Sequence, residues 1–263
     1  MNIQEDYLRC RHITRQQSKI FSAAAASLPQ AQRQAVYAVF SFACIAGELS
    51  ETELAGFCRG DTPPRFIWRA LRDAVGQFEI DICHHLRPLC QARQSPVDFA
   101  TLDQLLAYCD DIAGTTAEML WAIVSPYLGQ LLAPLKKALA RAVYLTHILL
   151  NIGSDLEQER IFLPRQLMES HGYSREQLAA QTVNQEFIDT WEDLAALAED
   201  YYAAARPLAK HLHPRAKFPL LAASVLHREL LYETRRAGYQ VFTRRAFLPL
   251  LTRFRVLTQV PMT

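Results

Sequence analysis

Three glutamates, Glu48, Glu51 and Glu53, follow one apolar run of the chain, and Asn151 and Asp155 stand four residues apart at the end of another. On a helix that spacing puts the amide and the carboxylate on one face. Oxygen ligands from two facing helix ends suit Mg²⁺, which keeps several waters, needs few protein carboxylates and is usually shared with substrate phosphates. The chemistry such walls could support is the anchoring of a diphosphate. Taken singly, each cluster also reads as solvated or capping residues at a helix end, and only the apolar runs that lead into them favour the chemical reading.

Those runs are residues 34–46 (QAVYAVFSFACIA) and 138–152 (ALARAVYLTHILLNI). Both have few charges around their whole circumference, so each helix must be surrounded by others. Such helices form a core or wall an apolar cavity for a long hydrocarbon. The rest of the chain is written in Ala, Leu, Gln, Arg and Glu with 9 glycines, which predicts an all-α fold. Breaks are expected at Pro29, Gly60 to Pro64, Pro96, Pro126, Pro164, Gly172, Pro207, Pro214 and Gly238. None is a long linker, and the expectation is one compact helical domain over residues 1–263 without repeats.

Composition excludes several classes. With 28 basic and 27 acidic side chains, no overall field gathers nucleic acid, so any polyanion must be held locally. The 6 cysteines, at 10, 44, 58, 83, 90 and 109, form no Cys-x-x-Cys, and the first residues are acidic and polar, so reduced thiols in a cytoplasm are expected. The longest uncharged stretch, 119–135, is interrupted by Pro126, Gly129 and Pro134 and reads as buried helices with a turn. Cys83, His84, His85 and Cys90 lack the spacing of a tetrahedral zinc site. The basic residues Arg235, Arg236, Arg244, Arg245, Arg253 and Arg255 read as a solvated helix face that could also attract an anionic membrane surface, giving a cytoplasmic protein with peripheral membrane contact.

Specific blocks carry a resemblance. Ser18-Lys19-Ile20-Phe21-Ser22, then Leu28-Pro29 and Gln32-Arg33-Gln34-Ala35-Val36-Tyr37-Ala38, looks like the opening of squalene, phytoene and dehydrosqualene synthases. Tyr108-Cys109-Asp110-Asp111-Ile112-Ala113-Gly114-Thr115 is similar to that family's Tyr-Cys-x-x-x-Ala-Gly-Thr helix. Asn151-Ile152-Gly153-Ser154-Asp155 with Glu159-Arg160-Ile161-Phe162-Leu163-Pro164 resembles its second aspartate-rich motif. Order and spacing match over most of the chain, with the dehydrosqualene synthases the nearest branch.

The resemblance implies a single-domain isoprenoid synthase fold, with helices around a central apolar cavity. It also implies a head-to-head prenyltransferase in which Mg²⁺ helps one diphosphate leave and a second prenyl chain captures the allylic cation. Carried over residue by residue, it places Ser18, Lys19, Phe21, Tyr37, Phe40, Arg160 and Tyr239 at the substrate, Tyr108, Asp110 and Asp111 at the chemistry, and Glu48, Glu51, Asn151 and Asp155 at the metal. Farnesyl chains are favoured over C20 by the dehydrosqualene likeness, and no dinucleotide fingerprint calls for NADPH.

The polar motifs depart from the pattern while the packing motifs hold. The family's arginine followed by Asp-Asp-x-x-Asp falls on Cys44 and Gly47-Glu48-Leu49-Ser50-Glu51, so two carboxylates survive as longer glutamates, the leading one is lost, and a bidentate phosphate donor is gone. The second motif is several residues short between Asp155 and Arg160 and lacks its further aspartate. Three readings follow: a head-to-head synthase with relaxed metal ligation, a prenyltransferase joining one prenyl diphosphate to a different acceptor, and a non-catalytic relative that binds a lipid or a partner protein.

Overall fold

The computed structural model describes residues 2–78, 80, 82–127, 129–243, 248, 249, 252 and 258. Among them the chain folds into helices α1 (Ile3–Gln17), α2 (Lys19–Ala25), α3 (Gln30–Ile45), α4 (Glu51–Cys58), α5 (Phe66–Phe78), α6 (Cys83–Gln94) and α7 (Leu102–Cys109), followed by α8 (Thr115–Val124), α9 (Ala133–Leu156), α10 (Arg165–Ser170), α11 (Arg175–Ala179), α12 (Gln185–Ala205) and α13 (Pro214–Arg236). Extended pairing among the described residues is a single parallel bridge between Asp98 and Ile161. The all-α expectation holds.

Local chemistry sets the boundaries. Pro29 and Pro164 precede α3 and α10, and Pro214 opens α13, as residues that cannot donate from within a helix but start one readily. Pro134 begins α9 rather than interrupting it, because its missing N–H lies in the first turn, where no intrahelical partner exists. Thr101 caps α7: its side chain accepts from Gln104 N while the Gln104 side chain accepts from the Thr101 backbone. Thr101→Ala is expected to cost about 1 kcal/mol in urea unfolding.

The predicted central helices are both longer than their apolar runs, and they do sit inside. α9 packs against α12 and α13, and α3 against α1, α5 and α8. Phe42, Trp68 and Trp191 are fully enclosed, and one contiguous core links α1 to α13. At about 25 cal/mol per Å² of apolar surface, burial of this kind is the main force holding the helices together. No helix among the described residues is long and apolar enough to cross a membrane. Arg235 lies in a carboxylate cage, 2.7 Å from Glu192 and 2.8 Å from Glu199, and Arg236 pairs with Glu229 and Glu233, so neither is a bare surface cation. Arg244, Arg245, Arg253 and Arg255 lie outside the described residues.

Candidate active site

A cavity of about 550 Å³ opens between α2, α3, α8, α9 and α13. Along α9 its wall runs Leu139, Val143, His147, Asn151 and Asp155, and along α3 it runs Val36, Phe40, Cys44 and then Glu48 in the turn beyond. Both helices pass from largely apolar to polar in the same direction, and the one charged side chain lining the apolar end, Lys136, is neutralised there by Glu118 at 3.0 Å. The sixteen steps from Leu139 to Asp155 at the helical rise give a wall about 24 Å long. The polar end is where α3 and α9 finish, and helix C-termini favour cations.

Two guanidiniums meet that preference. Arg160 reaches the cavity from the turn after α9, where Glu159 takes a left-handed φ of 58° and Arg160 N donates back to Asp155 O at 2.9 Å. The short spacing after Asp155 seen in the sequence is this tight reversal. Arg160 Nη2 donates to the Tyr108 hydroxyl at 3.1 Å, and the guanidinium lies 5.0 Å from the centre of the Phe162 ring. The second guanidinium, Arg93 in the last turn of α6, donates from Nε to Ala43 O at 3.1 Å.

Asp155 is the strained member of the group. Its Oδ2 is buried without a hydrogen-bond partner, and burial pushes its carboxyl up from 3.8 to about 6 against the pull of Arg160 and Arg93. Asn151 Nδ2 donates to His147 O at 2.6 Å, which fixes the amide on the same wall. Toward the hydrocarbon end, Phe21 and Phe40 stack with ring centres 4.3 Å apart, and Trp121 lines the α8 side. His227, on α13, also lines the cavity; its Nδ1 donates to Ala223 O at 2.9 Å, and burial pulls its basicity down.

Of the residues singled out from sequence, Ser18, Phe21, Phe40, Glu48, Asn151, Asp155 and Arg160 line this cavity. Ser18 does so while capping α2, its hydroxyl accepting from Phe21 N at 3.1 Å. The others are elsewhere. Lys19 is exposed, and the Tyr37 hydroxyl donates to Ser22 O at 3.1 Å, tying α3 to α2. Glu51 is the first residue of α4 and pairs with Arg87 at 2.9 Å on the surface. Tyr108 is buried behind Arg160. Asp110 is gripped by Arg141 at 2.7 Å and Lys137 at 2.9 Å, and Asp111 is exposed. A π-helical turn, Asp110–Gly114, rotates the backbone so that Ala113, Thr116 and Ala117 face the cavity instead. Tyr239 donates to Glu192 Oε1 at 2.6 Å. Sequence reasoning missed Arg93, Tyr144, His147 and His227; nothing in their local pattern separates them from ordinary helix residues.

The two polar walls differ in their fit to a divalent ion. Among the described residues no group of three His, Cys, Asp or Glu is arranged to hold a metal by itself. Asp155, with an orphaned buried oxygen beside Asn151, fits one oxygen-bound ion shared with a substrate phosphate. The opposite wall does not fit: Gly47 offers no ligand, Glu51 lies outside, and only Glu48 reaches the cavity.

Comparison with known proteins gives the family and matches the fold. The squalene/phytoene synthase family model matches residues 14–252. A phytoene synthase of Arthrospira platensis is 27% identical, covering 93% of this chain and 89% of its own length. The farnesyl diphosphate phosphatase YisP of Bacillus subtilis is 28% identical, covering 91% of this chain and 92% of its own. Its crystal structure superposes with a TM-score of 0.83 over 98% of this chain and 96% of that one. A dehydrosqualene synthase in complex with ligand, at 25% identity, reaches a TM-score of 0.88 over 98% of this chain and 96% of that one. With its all-helical fold, its cavity and a family match over residues 14–252, the chain belongs to the squalene/phytoene synthase family.

Proposed function

We propose that the chain condenses two prenyl diphosphates head-to-head, with farnesyl diphosphate as the substrate and a C30 isoprenoid as the product. The observation that carries this reading is a cavity that runs from a largely apolar end to a mouth holding Glu48, Arg93, Asn151, Asp155 and Arg160. It accepts an amphiphile whose tail is long and whose head is anionic. Asp155 and Asn151 are the residues that would hold a divalent ion, and that ion would supply charge neutralisation at the departing diphosphate.

Arg160, held in place by Tyr108, grips the diphosphate through charge-assisted hydrogen bonds. Loss of diphosphate leaves an allylic cation, which the stacked faces of Phe21 and Phe40 and the indole of Trp121 stabilise while excluding water. The second prenyl chain then attacks through its double bond and loses a proton to close a cyclopropane, and this intermediate sheds the second diphosphate, rearranges and loses a further proton to give the C30 product.

A second reading replaces that chain with another acceptor, water being the simplest. The wall with only Glu48 favours it, because a mouth with one metal-fitting side suits a single diphosphate; the name of the phosphatase relative also points this way. The deciding experiment is incubation with farnesyl diphosphate and Mg²⁺, with assay of released diphosphate and analysis of the extract. A C30 hydrocarbon supports condensation and a C15 alcohol supports hydrolysis. No release and no binding would sink both and leave the non-catalytic relative.

The two glutamates of the first motif separate in the same assay. Glu48→Ala is expected to lower diphosphate release roughly tenfold. Glu51→Ala removes an exposed ion pair and is expected to stay within about twofold of the parent in rate and about 1 kcal/mol in stability.

A further inference from the structure

Arg93 enters the mouth from a helix in which the sequence reading placed no site residue. Among the described residues its guanidinium makes one hydrogen bond, to Ala43 O, and no ion pair, although the side chain is half-buried and lines the cavity. Its charge acts on Tyr144, Tyr108, Cys44 and Asp155, which places it between the two polar walls. A half-buried guanidinium without a carboxylate partner is costly unless an anion completes it.

Two departures from the family pattern are what let it in. Cys44 stands where an arginine is expected, and its small thiol, which burial pushes up to about 12 and so keeps neutral, leaves both space and charge for a cation from outside. Gly47 stands where the leading aspartate is expected. A Cβ there would lie 3.2 Å from Arg93 O and 3.4 Å from Arg93 Cβ, so the glycine lets the end of α6 press against the turn after α3. Cys44, Gly47 and Arg93 form one packing unit.

We propose that Arg93 is the diphosphate-binding cation of this wall: a guanidinium carried on α6 that stands in both for the arginine absent at position 44 and for a metal ion that Gly47 and Glu48 cannot hold. The altered first motif is then a rebuilt anion site, in which a fixed positive charge replaces a bound one. Arg93 also offers what a metal does not, a planar fork matched to two phosphate oxygens. This inference rests on the diphosphate reading above, and its test separates the two.

Inorganic pyrophosphate is titrated by calorimetry into the wild type, Arg93→Lys, Arg93→Gln and Gly47→Asp, in EDTA and then with Mg²⁺, with melting curves to confirm folding. The wild type is expected to bind in EDTA. Arg93→Gln is expected to weaken that binding about tenfold or more, as loss of a charged hydrogen-bond donor does. Arg93→Lys keeps the charge without the fork and is expected to fall between; it also serves if the glutamine variant does not fold. Gly47→Asp, although it restores the family's residue, is expected to weaken binding in EDTA, because it crowds the Arg93 backbone and sets a carboxylate beside the guanidinium. Wild-type binding only with Mg²⁺, or Arg93→Gln binding as tightly as wild type, overturns the role of Arg93 while diphosphate release by the wild type leaves the diphosphate reading standing. A wild type that neither binds pyrophosphate nor releases it from farnesyl diphosphate ends both.

Discussion

In EDTA at pH 7.5, Asp155→Asn is expected to melt about 5 °C above the wild type, while its diphosphate release with Mg²⁺ falls roughly a hundredfold. The two effects have one cause. Asp155 is held in a site that penalises its charge, so its carboxyl titrates at about 6 rather than 3.8. A raised value means the folded chain binds this proton more tightly than the unfolded chain. Below pH 3.8 both states are protonated and nothing is lost. As pH climbs toward 6 the penalty grows, and above that it levels off at about 3 kcal/mol. An amide of the same shape escapes the penalty but cannot ligate a cation as a carboxylate does. Melting the two proteins at pH 4 and pH 7.5 checks the sign. The gain belongs at the higher pH and shrinks at the lower; a gain that persists at pH 4 would mean that burial of charge is not its source.

Gly153→Ala is expected to destabilise the protein by about 1–3 kcal/mol and to lower activity with it. A Cβ at this position in α9 would fall 2.7 Å from Phe242 Cα and 2.8 Å from Phe242 O, with Val241 O at 2.9 Å. These are backbone atoms and cannot turn aside as a side chain would. Either α9 shifts, carrying Asn151 and Asp155 with it, or the segment after α13 lifts away. Gly114→Ala is the contrast. Its Cβ would meet only Asp110 Cβ at 3.9 Å, and with φ at −61° the position is helical, so alanine is expected to be neutral or to stabilise by up to about 1 kcal/mol. Urea midpoints of the pair measure both, and equal effects would show that close approach at Gly153 is not the constraint.

How much of this could be read in advance depends on how local the information is. Helix identity, the breaks at Pro29, Pro164 and Pro214, and the enclosure of the runs within α3 and α9 follow from neighbours in the chain, and they were legible. Glu48, Asn151 and Asp155 were legible as members of one site because two apolar helices run into them, and Ser18 and Phe21 only because the block around them resembles the family's opening. Which way Glu51 faces was not legible. Ser50 caps a new helix there, its side chain accepting from Glu53 N, and the turn carries Glu51 to the surface. Asp110 was misleading for a different reason. Its partners Lys137 and Arg141 come from α9, and only a π-helical turn decides that it faces them. Arg93 is the plainest case: in the sequence it is one arginine in a polar helix, and its importance arises from the empty volume left by Cys44 and Gly47 about fifty positions earlier.

The common finish of α3 and α9 at the cavity mouth has a further consequence. Negative helix ends, the positive side chains Arg93 and Arg160, and an incoming anion would stack as layers of alternating sign at contact distance, well inside the screening length of about 8 Å at physiological ionic strength. Neutral salt therefore has little room to act between the layers. Affinity at this mouth should track the valence of the competing anion, with pyrophosphate above phosphate and phosphate above chloride, far more closely than it tracks ionic strength.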